Sequence, residues 1–214
     1  MNKSFKYDTS SLADAQFEPG SRGQVLKNLP GIKKKREIDG IESAEQERVL
    51  NELVVKVKVK HRFTARDISN MHKAWLGSIY AWAGSYRNVN IGKGGFSFAA
   101  AQHIPQLMRG LEKGPLKKYT PCNFSSTGEV VKALAVVHTE LVLIHPFREG
   151  NGRLARILAI LMALQAGLPP LDFAGIKGRM RQEYFAAVRA GVSRNYRPME
   201  QVFRSVIRLT LKNA

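Results

Sequence analysis

The sequence predicts an all-α fold that carries a single β-hairpin. Apolar residues recur at intervals of three and four along most of the chain, which is the pattern of amphipathic helices. Apolar and polar residues alternate in one short stretch, residues 88–98, around a group of glycines, as in a hairpin. The apolar segment ILAILMAL at residues 157–164 is far shorter than the roughly 20 residues of a membrane span and therefore indicates a buried central helix.

Length and composition narrow the possible partners. The 214 residues suffice for one sizeable core, and the single cysteine, Cys122, excludes a disulfide framework and a cysteine-rich metal site. The N-terminus shows no apolar leader segment, so we expect a cytoplasmic protein without a membrane partner. The net charge of +17 favours a nucleotide or an acidic protein as partner. Nucleic acid is not favoured as the primary partner, because the basic residues form short scattered clusters without zinc-finger or basic-zipper spacing.

The first helices are expected to follow an irregular N-terminal segment. Residues 1 to about 40 are rich in Gly, Pro, Ser and Lys, and the KKKR at 33–36 predicts a solvated basic loop. Helical periodicity starts at Ile41. A second helix is expected from Thr64, which forms a capping-box pattern with Asp67. Its buried stripe is predicted to consist of Ile68, Met71, Trp75 and Ile79.

The predicted hairpin spans about residues 86–98. Val89 and Ile91 alternate with asparagines, and Phe96 and Phe98 are separated by a serine, so two short strands are expected on either side of GKGG. The stretch predicts a hairpin, although GKGG is not one of the tightest turn types.

Helical periodicity resumes after the hairpin and continues to the C-terminus. Ser126 and Glu129 form a second capping-box pattern at the start of a helix. The apolar stripe of this helix is Val130, Leu134, Val137, Leu141 and Ile144. The central apolar helix starts near Gly152, and two further helices are expected at about 177–190 and 197–212.

A strongly polar stretch, HPFREGNGRLAR at residues 145–156, lies between two of these apolar segments. Buried helices on both sides would hold so short a loop rigidly, as a catalytic site requires. Pro146 disfavours the α region for His145, so the preceding helix is expected to end there. Phe147 is expected to point inward and to anchor the loop.

The glycines and arginines of this stretch suit phosphate binding. Gly150 and Gly152 permit backbone N–H groups to converge at the N-terminus of the next helix, which makes an anion site. Arg153 and Arg156 are three residues apart and share one face of that helix, where their guanidinium groups match phosphate oxygens.

Two titratable residues stand beside the predicted anion site. Glu149 suits Mg²⁺, because this cation takes one or two carboxylates together with phosphate oxygens and water. His145 is the nearby residue whose pKa range suits a general base at neutral pH. As a set, these residues predict an enzyme of phosphate-anhydride chemistry.

HPFREGNGRLAR fills every specified position of the signature H-x-F-x-[D/E]-G-N-G-R-x-x-R, so the chain resembles the Fic family. The upstream YRNVNIGKGGFSF resembles the flap of that family. The resemblance covers residues 25–205, with a catalytic loop at 145–153, a lead-in at 1–24 and a helix end at 206–214. It implies an all-α Fic fold with a β-hairpin flap, and transfer of AMP from ATP to a Ser, Thr or Tyr hydroxyl of a target protein.

The resemblance also implies roles for individual residues. His145 would be the general base, and Glu149 would hold Mg²⁺ bridging the ATP phosphates. The anion hole would consist of Gly150, Asn151 and Gly152. Arg153 would neutralise the departing pyrophosphate, and Arg156 would bind the γ-phosphate. The flap residues that would pair with the target are Asn90, Ile91, Gly92, Gly95 and Phe96, while Lys93 and Gly94 would contact the nucleotide.

Other activities are compatible with parts of this pattern. Phosphoryl transfer is disfavoured, because the phosphorylating Doc-type branch departs from G-N-G-R and this chain does not. Transfer of another nucleotide monophosphate or of phosphocholine stays open, since base selection lies outside the signature. A non-catalytic regulatory module with a Fic-like scaffold would be expected to have lost His145, Glu149 or an arginine, and all are present.

We predict that the chain has no internal inhibitor helix of the usual kind. Many Fic proteins carry [S/T]-x-x-x-E-[G/N], whose glutamate pairs with the second motif arginine, here Arg156. The nearest strings are SSTGEV at 125–130 and SAEQER at 43–48, and neither ends in the required pair. A separate antitoxin protein, constitutive activity and an unrecognised inhibitor are the three explanations left open.

The remaining histidines are expected to be structural. His138 is predicted to be a buried helix residue with a hydrogen-bond partner. The surface or packing positions are predicted to be His61, His72 and His103, and Trp75 is expected to anchor the core.

Overall fold

The computed structural model describes residues 15–213, so most of the predicted lead-in at 1–24 lies outside the described residues. The α-helices are α1 (Lys35–Lys56), α2 (Ala65–Leu76), α3 (Ile104–Leu111), α4 (Lys117–Tyr119), α5 (Thr127–Ile144), α6 (Asn151–Gln165), α7 (Gly178–Ala190) and α8 (Arg197–Asn213). A π-helical segment, Glu112–Leu116, joins α3 to α4. The predicted all-α fold with one hairpin is confirmed, and so are the two C-terminal helices.

Two helices begin at the caps that the sequence predicts. The Thr64 hydroxyl accepts the Asp67 N–H at 3.1 Å, and the Asp67 carboxylate accepts the Thr64 N–H at 2.9 Å, which completes a capping box at the start of α2. The Ser126 hydroxyl accepts the Glu129 N–H at 3.2 Å at the start of α5. These bonds satisfy N–H groups that the first turn of a helix leaves without partners.

Helix α1 begins six residues before the predicted start at Ile41. The buried apolar residue of its first turns is Ile38, which is 2% exposed, whereas Ile41 is 36% exposed. Because polar residues surround this single isoleucine, the sequence shows no apolar periodicity at the start of the helix, and the start could not be predicted from it. The KKKR predicted as a loop therefore ends in the first turn of α1, and its side chains are exposed.

Helices α5 and α6 pack against each other in the centre of the fold. Helix α5 also contacts α3, α7 and α8, and α6 contacts α1 and α2. Leu154, Ile157, Leu158 and Leu161 of α6 are each at most 1% exposed, which confirms the predicted central buried helix. The loop between α5 and α6 is thus held by elements that are themselves buried. Within residues 15–213, no helix combines the length and apolarity needed to cross a membrane.

The paired strands of the hairpin are shorter than the predicted span of about residues 86–98. Strand β1 (Gly92–Lys93) pairs antiparallel with β2 (Phe96–Ser97), in the register Gly92 to Ser97 and Lys93 to Phe96. The connection is the pair Gly94 and Gly95, with φ of +57° and +75°. Two consecutive residues with positive φ are what a type I′ turn requires, and glycine adopts positive φ readily, so these two glycines can close a two-residue turn.

Candidate active site

The predicted catalytic loop connects the end of α5 to the start of α6. Helix α5 ends at Ile144, and His145 follows with φ of +51° and ψ of +58°, in the left-handed region. The prediction that the helix stops before Pro146 is confirmed. A positive φ is uncommon for a residue other than glycine, so the surrounding contacts have to stabilise it.

Two buried residues within the loop, Phe147 and Asn151, fix its conformation. Phe147 is fully buried, as predicted, and its N–H donates to Asn151 Oδ1 at 2.8 Å. The Asn151 amide donates back to the Phe147 carbonyl at 2.7 Å. Because the Asn151 side chain is engaged inside the loop, only its backbone N–H is left to contribute to an anion hole.

The two glycines of the loop have different steric surroundings. Gly150 has φ of +82°, and a Cβ there would lie 2.7 Å from Trp75 Cζ3, so no larger residue fits. A Cβ on Gly152 would meet no atom within 4 Å. Gly150 is therefore required by the loop itself, whereas Gly152 leaves open space beside the N-terminus of α6.

The N-terminus of α6 is suited to bind an anion. The capping position is Gly150, and no side chain within residues 15–213 caps this helix. The backbone N–H groups of the first turn, at Asn151, Gly152 and Arg153, have no intrahelical acceptors by the geometry of the helix. The helix dipole adds positive potential at the same end.

His145 is held in one neutral form. Its Nδ1 lies 2.9 Å from the Val142 carbonyl, and since a carbonyl only accepts, Nδ1 carries the proton and Nε2 is left as a base. Its ring stacks on Phe98, with centroids 3.6 Å apart. Burial lowers the pKa of His145 to about 4, so the ring is neutral at pH 7.

His72 contacts the catalytic loop, a role that the sequence did not indicate. The Gly84 N–H donates to His72 Nδ1 at 2.8 Å, so Nε2 carries the proton and donates to the Glu149 carbonyl at 3.1 Å. The ring also stacks on Phe147 at 3.9 Å. The signal was its spacing, because His72 lies four residues after Ile68 and so falls on the buried face of α2.

Arg153 is paired with a carboxylate from α1. Glu42 is 3% exposed, and its Oε2 lies 2.5 Å from Arg153 Nη2. The Tyr80 hydroxyl donates to Glu42 Oε1 at 2.7 Å, and Trp75 Nε1 donates to the Glu42 carbonyl at 2.8 Å. The Arg153 guanidinium lies over the Trp75 ring at 4.7 Å. Sequence reasoning missed Glu42, because this contact joins residues 111 positions apart.

Arg156 has an unsatisfied donor. Its Nε is buried and has no hydrogen-bond partner in the described part of the chain, and its guanidinium lies 5.5 Å from the Phe173 ring and 5.8 Å from the Tyr184 ring. The Tyr184 hydroxyl lies 2.8 Å from Nε2 of His138, which is buried and hydrogen-bonded as predicted. A buried donor without an acceptor is costly, and an acceptor of a bound ligand would satisfy it.

Glu149 meets the requirements of a magnesium ligand that works together with phosphates. Its Oε1 accepts the Gly150 N–H at 2.8 Å and lies 3.5 Å from Arg153 Nη2. It is the only acidic side chain among the described residues that line the cavity beside the loop. Among residues 15–213, no group of three His, Cys, Asp or Glu side chains forms a complete metal cage. One carboxylate beside a phosphate site fits Mg²⁺, which keeps water and phosphate ligands.

The cavity of about 690 Å³ brings most of the predicted residues together. Its walls are the catalytic loop, the hairpin and the segment Ile176 to Arg189 that includes α7. The predicted site residues that line it are His145, Glu149, Gly150, Asn151, Gly152, Arg153, Arg156, Lys93, Gly94 and Phe96. Asn90, Ile91, Gly92 and Gly95 do not line it. The Asn90 side chain instead accepts the Ala101 N–H at 2.8 Å, at the base of the hairpin.

Comparison with known proteins agrees with the motif. A model of the Fic/DOC family matches residues 62–163, which include the hairpin and the complete motif. The chain belongs to the Fic/DOC family. A curated relative, protein adenylyltransferase fic-1 from Caenorhabditis briggsae, is 26% identical over 200 residues, which are 91% of this chain and 37% of the relative. The Fic chain described here thus spans little more than a third of that relative's length.

Solved structures share the fold of this Fic chain. The N-terminal Fic domain of a Bartonella effector protein from Bartonella sp. AR 15-3 has a TM-score of 0.76 at 20% identity, covering 94% of this chain and 95% of that chain. The BepC effector protein of Bartonella tribocorum, crystallised with bound AMPPNP, has a TM-score of 0.68 at 23% identity, covering 85% and 91%. At these identities the likeness establishes the fold alone.

Proposed function

We propose that the chain transfers AMP from ATP to a Ser, Thr or Tyr hydroxyl of a target protein. The observation that carries this proposal is a neutral histidine, His145, with Nε2 available as a base beside the open N-terminus of α6. A base next to an anion site can activate a hydroxyl against a bound phosphate. The relative named protein adenylyltransferase and the AMPPNP-bound neighbour support the same activity.

The triphosphate would bind along the first turns of α6. The backbone N–H groups of the first turn would donate to phosphate oxygens, and the buried Nε of Arg156 would gain an acceptor. Arg153 would contact the departing pyrophosphate from the position set by Glu42. Mg²⁺ held by Glu149 would neutralise phosphate charge.

The transfer itself needs a single proton acceptor. The hydroxyl of the target would attack the α-phosphorus in line with the bond to the β-phosphate. The new oxygen–phosphorus bond forms as the bond to pyrophosphate breaks, and the hydroxyl proton passes to His145 Nε2. The hydrogen bond from Nδ1 to the Val142 carbonyl would keep the ring oriented for this step.

The hairpin would hold the target. Its two strands pair only with each other among the described residues, so each has an outer edge at which an extended segment can add as a further strand. Phe96 and Lys93 line the cavity, so a target segment on this edge would pass beside His145.

ATP is the favoured donor, with another nucleotide monophosphate or a phosphoryl group as the alternatives. The apolar part of the cavity wall, formed by Ile176, Phe185 and Val188, would accept a flat base. The intact G-N-G-R and the adenylyltransferase relative favour AMP transfer over phosphorylation.

Labelled ATP tests the proposal. Incubation with Mg²⁺ and α-³²P-ATP should label the chain itself or proteins of a lysate, whereas γ-³²P-ATP should not. His145→Ala should abolish labelling, while the matched His103→Ala, at an exposed position, should leave it unchanged. Labelling from γ-³²P-ATP alone would show a kinase instead, and no label from either would contradict both activities.

We further propose that a separate antitoxin protein in the cytoplasm restrains this activity. No carboxylate of residues 15–213 pairs with Arg156, so the contact used by the usual internal inhibitor is not made by the described part of the chain. Expression of the chain alone should then arrest growth, and His145→Ala should relieve the arrest. Harmless expression of active enzyme at a high level would contradict the proposal.

A further inference from the structure

Arg87 is a buried arginine that precedes the hairpin and is 2% exposed. Its guanidinium donates to four backbone carbonyls of two separate regions. At the end of α5, Nε donates to the His145 carbonyl at 2.8 Å and Nη2 donates to the Ile144 carbonyl at 3.4 Å. Beside the hairpin, Nη1 donates to the Val89 carbonyl at 2.6 Å and Nη2 donates to the Ala99 carbonyl at 2.5 Å. No pattern in the sequence indicates a role for Arg87.

One side of this contact is the turn that carries His145. Arg87 binds the carbonyls of Ile144 and His145 through its side chain, and its own N–H donates to the Pro146 carbonyl at 2.9 Å. The last carbonyls of a helix lack intrahelical donors, so Arg87 supplies partners where α5 ends. These bonds also stabilise the left-handed conformation of His145.

The other side of the contact is the base of the hairpin. Val89 and Ala99 lie on opposite arms, before β1 and after β2, and their carbonyls converge on the same guanidinium. Phe98, which precedes Ala99, stacks on the His145 ring. The hairpin and the histidine are therefore linked both through Arg87 and through this ring contact.

We propose that Arg87 is a positioning residue that fixes His145 relative to the hairpin. A target strand aligned by the hairpin would then present its hydroxyl within reach of Nε2. This inference rests on the proposed AMP transfer, and it adds the residue that couples target placement to the base.

Arginine is suited to this role by its shape. Its five N–H donors lie in one rigid plane and can bind carbonyls on several sides at once. A lysine at position 87 would keep the charge, but its single ammonium group cannot reach carbonyls spread along both edges of that plane. A methionine would keep the volume and remove every donor.

The test compares Arg87→Met and Arg87→Lys with Arg62→Met. Arg62 provides a matched control, because its Nη1 donates to the Lys117 carbonyl at 2.9 Å in another part of the fold. Two quantities are measured on the full chain: steady-state AMP transfer, and the rate of tryptic cleavage after Lys93 in the hairpin, followed by mass spectrometry. Thermal unfolding is recorded for each variant.

Both Arg87 variants should lower kcat by about 100-fold, the loss expected from a misplacement of about 1 Å, with KM for ATP within about threefold of wild type. Cleavage after Lys93 should accelerate about tenfold, because each bond lost to the hairpin base favours local opening. Arg62→Met should change neither quantity more than about twofold.

The proposal is overturned if Arg87→Met leaves both kcat and the cleavage rate at wild-type values, or if it raises KM for ATP alone. If Arg87→Met does not fold, Arg87→Lys decides in the same way. Failure of both variants to fold would show a general structural role and also overturn it. If the wild-type chain transfers no AMP, the proposed function fails, while the cleavage rates still show whether Arg87 holds the hairpin.

Discussion

The catalytic loop and the hairpin face the same cavity but are built in opposite ways. The loop is braced by Asn151, His72 and Arg87, each through bonds to its backbone. The hairpin has two strands of two residues, and its tip, Gly94 and Gly95, has no atom within 4 Å of where a Cβ would be. The geometry of the loop is thus fixed by contacts within the chain, whereas the hairpin edge that we propose as the target surface is left open.

Because the braced loop and the helices around it contain buried histidines, we expect acid to destabilise this region. The histidines with a strongly lowered pKa, His72, His138 and His145, all contact the catalytic loop or α5 and α6 around it. Burial lowers the pKa of each to about 4, below the ordinary 6.5 of an unfolded chain. Below pH 6.5 the unfolded chain therefore binds more protons, and stability is lost as the pH falls towards 4.

Each additional proton that the unfolded chain binds lowers the free energy of unfolding by about 1.4 kcal/mol per pH unit. The free energy of unfolding should therefore fall by several kcal/mol between pH 6.5 and 4. Urea unfolding at a series of pH values measures this slope. The variant His138→Phe should show a shallower slope than wild type, and the exposed control His103→Phe should not. An equal slope in all three proteins would mean that the buried histidines do not set the acid limit.

A methyl group at Gly150 should break the braced loop. Gly150→Ala places a side chain at φ of +82° and 2.7 Å from the Trp75 ring, so the loop has to move. We expect a loss of about 3 kcal/mol in stability and complete loss of transfer. Chemical unfolding and label transfer measure the two effects.

Gly110 provides the matched control, since it lies in α3, is exposed and would meet no atom within 4 Å of an added Cβ. Gly110→Ala should stabilise the protein by about 0.5–1 kcal/mol. If Gly150→Ala changed the free energy of unfolding by no more than Gly110→Ala does, the result would contradict the steric argument.

Removing the charge of Glu42 should loosen Arg153 while the loop stays in place. Glu42→Gln keeps the shape of the side chain but leaves Arg153 without its carboxylate. We expect the free energy of unfolding to fall by about 2 kcal/mol, which is less than for a fully buried pair because the Arg153 side chain is 30% exposed. The control Glu47→Gln lies at an exposed position of the same helix and should be neutral. Equal unfolding midpoints for the two variants would show that this ion pair contributes no stability.

The sequence predicts the catalytic loop well because its residues are contiguous. From His145 to Arg156 the spacing along one loop and one helix places each group, and the capping residues Thr64 and Ser126 likewise act within three positions. Such local relations follow from the geometry of a single helix turn.

The residues that support the loop could not be predicted in the same way. Glu42, His72 and Arg87 contact it from three other elements, across 111, 77 and 58 positions of the sequence. These distances close only when the helices pack, and no periodicity in the chain describes that packing. The positive φ of His145 is also a result of these tertiary contacts rather than of its own preference.

The smallest effect on stability is expected at the tip of the hairpin. Gly95→Ala places a side chain at φ of +75° with open space around it, so the backbone strain alone should lower the free energy of unfolding by about 1 kcal/mol. Transfer to the target should nevertheless fall, with an increased KM for the target and an unchanged KM for ATP. A stability loss as large as that of Gly150→Ala would show that the hairpin is part of the braced structure.

The rim of the cavity has a kinetic consequence. Three basic residues line the cavity and have no carboxylate partner among residues 15–213: Lys177, at the N-cap position of α7, and Arg181 and Arg189 within that helix. With Glu149 as the one acidic side chain among the described lining residues, the cavity surface is predominantly positive, and such a surface attracts oppositely charged molecules from a distance. Capture of a polyanionic nucleotide should therefore be fast in dilute buffer and slow steeply as ionic strength rises, because the Debye length shrinks to about 8 Å at physiological salt.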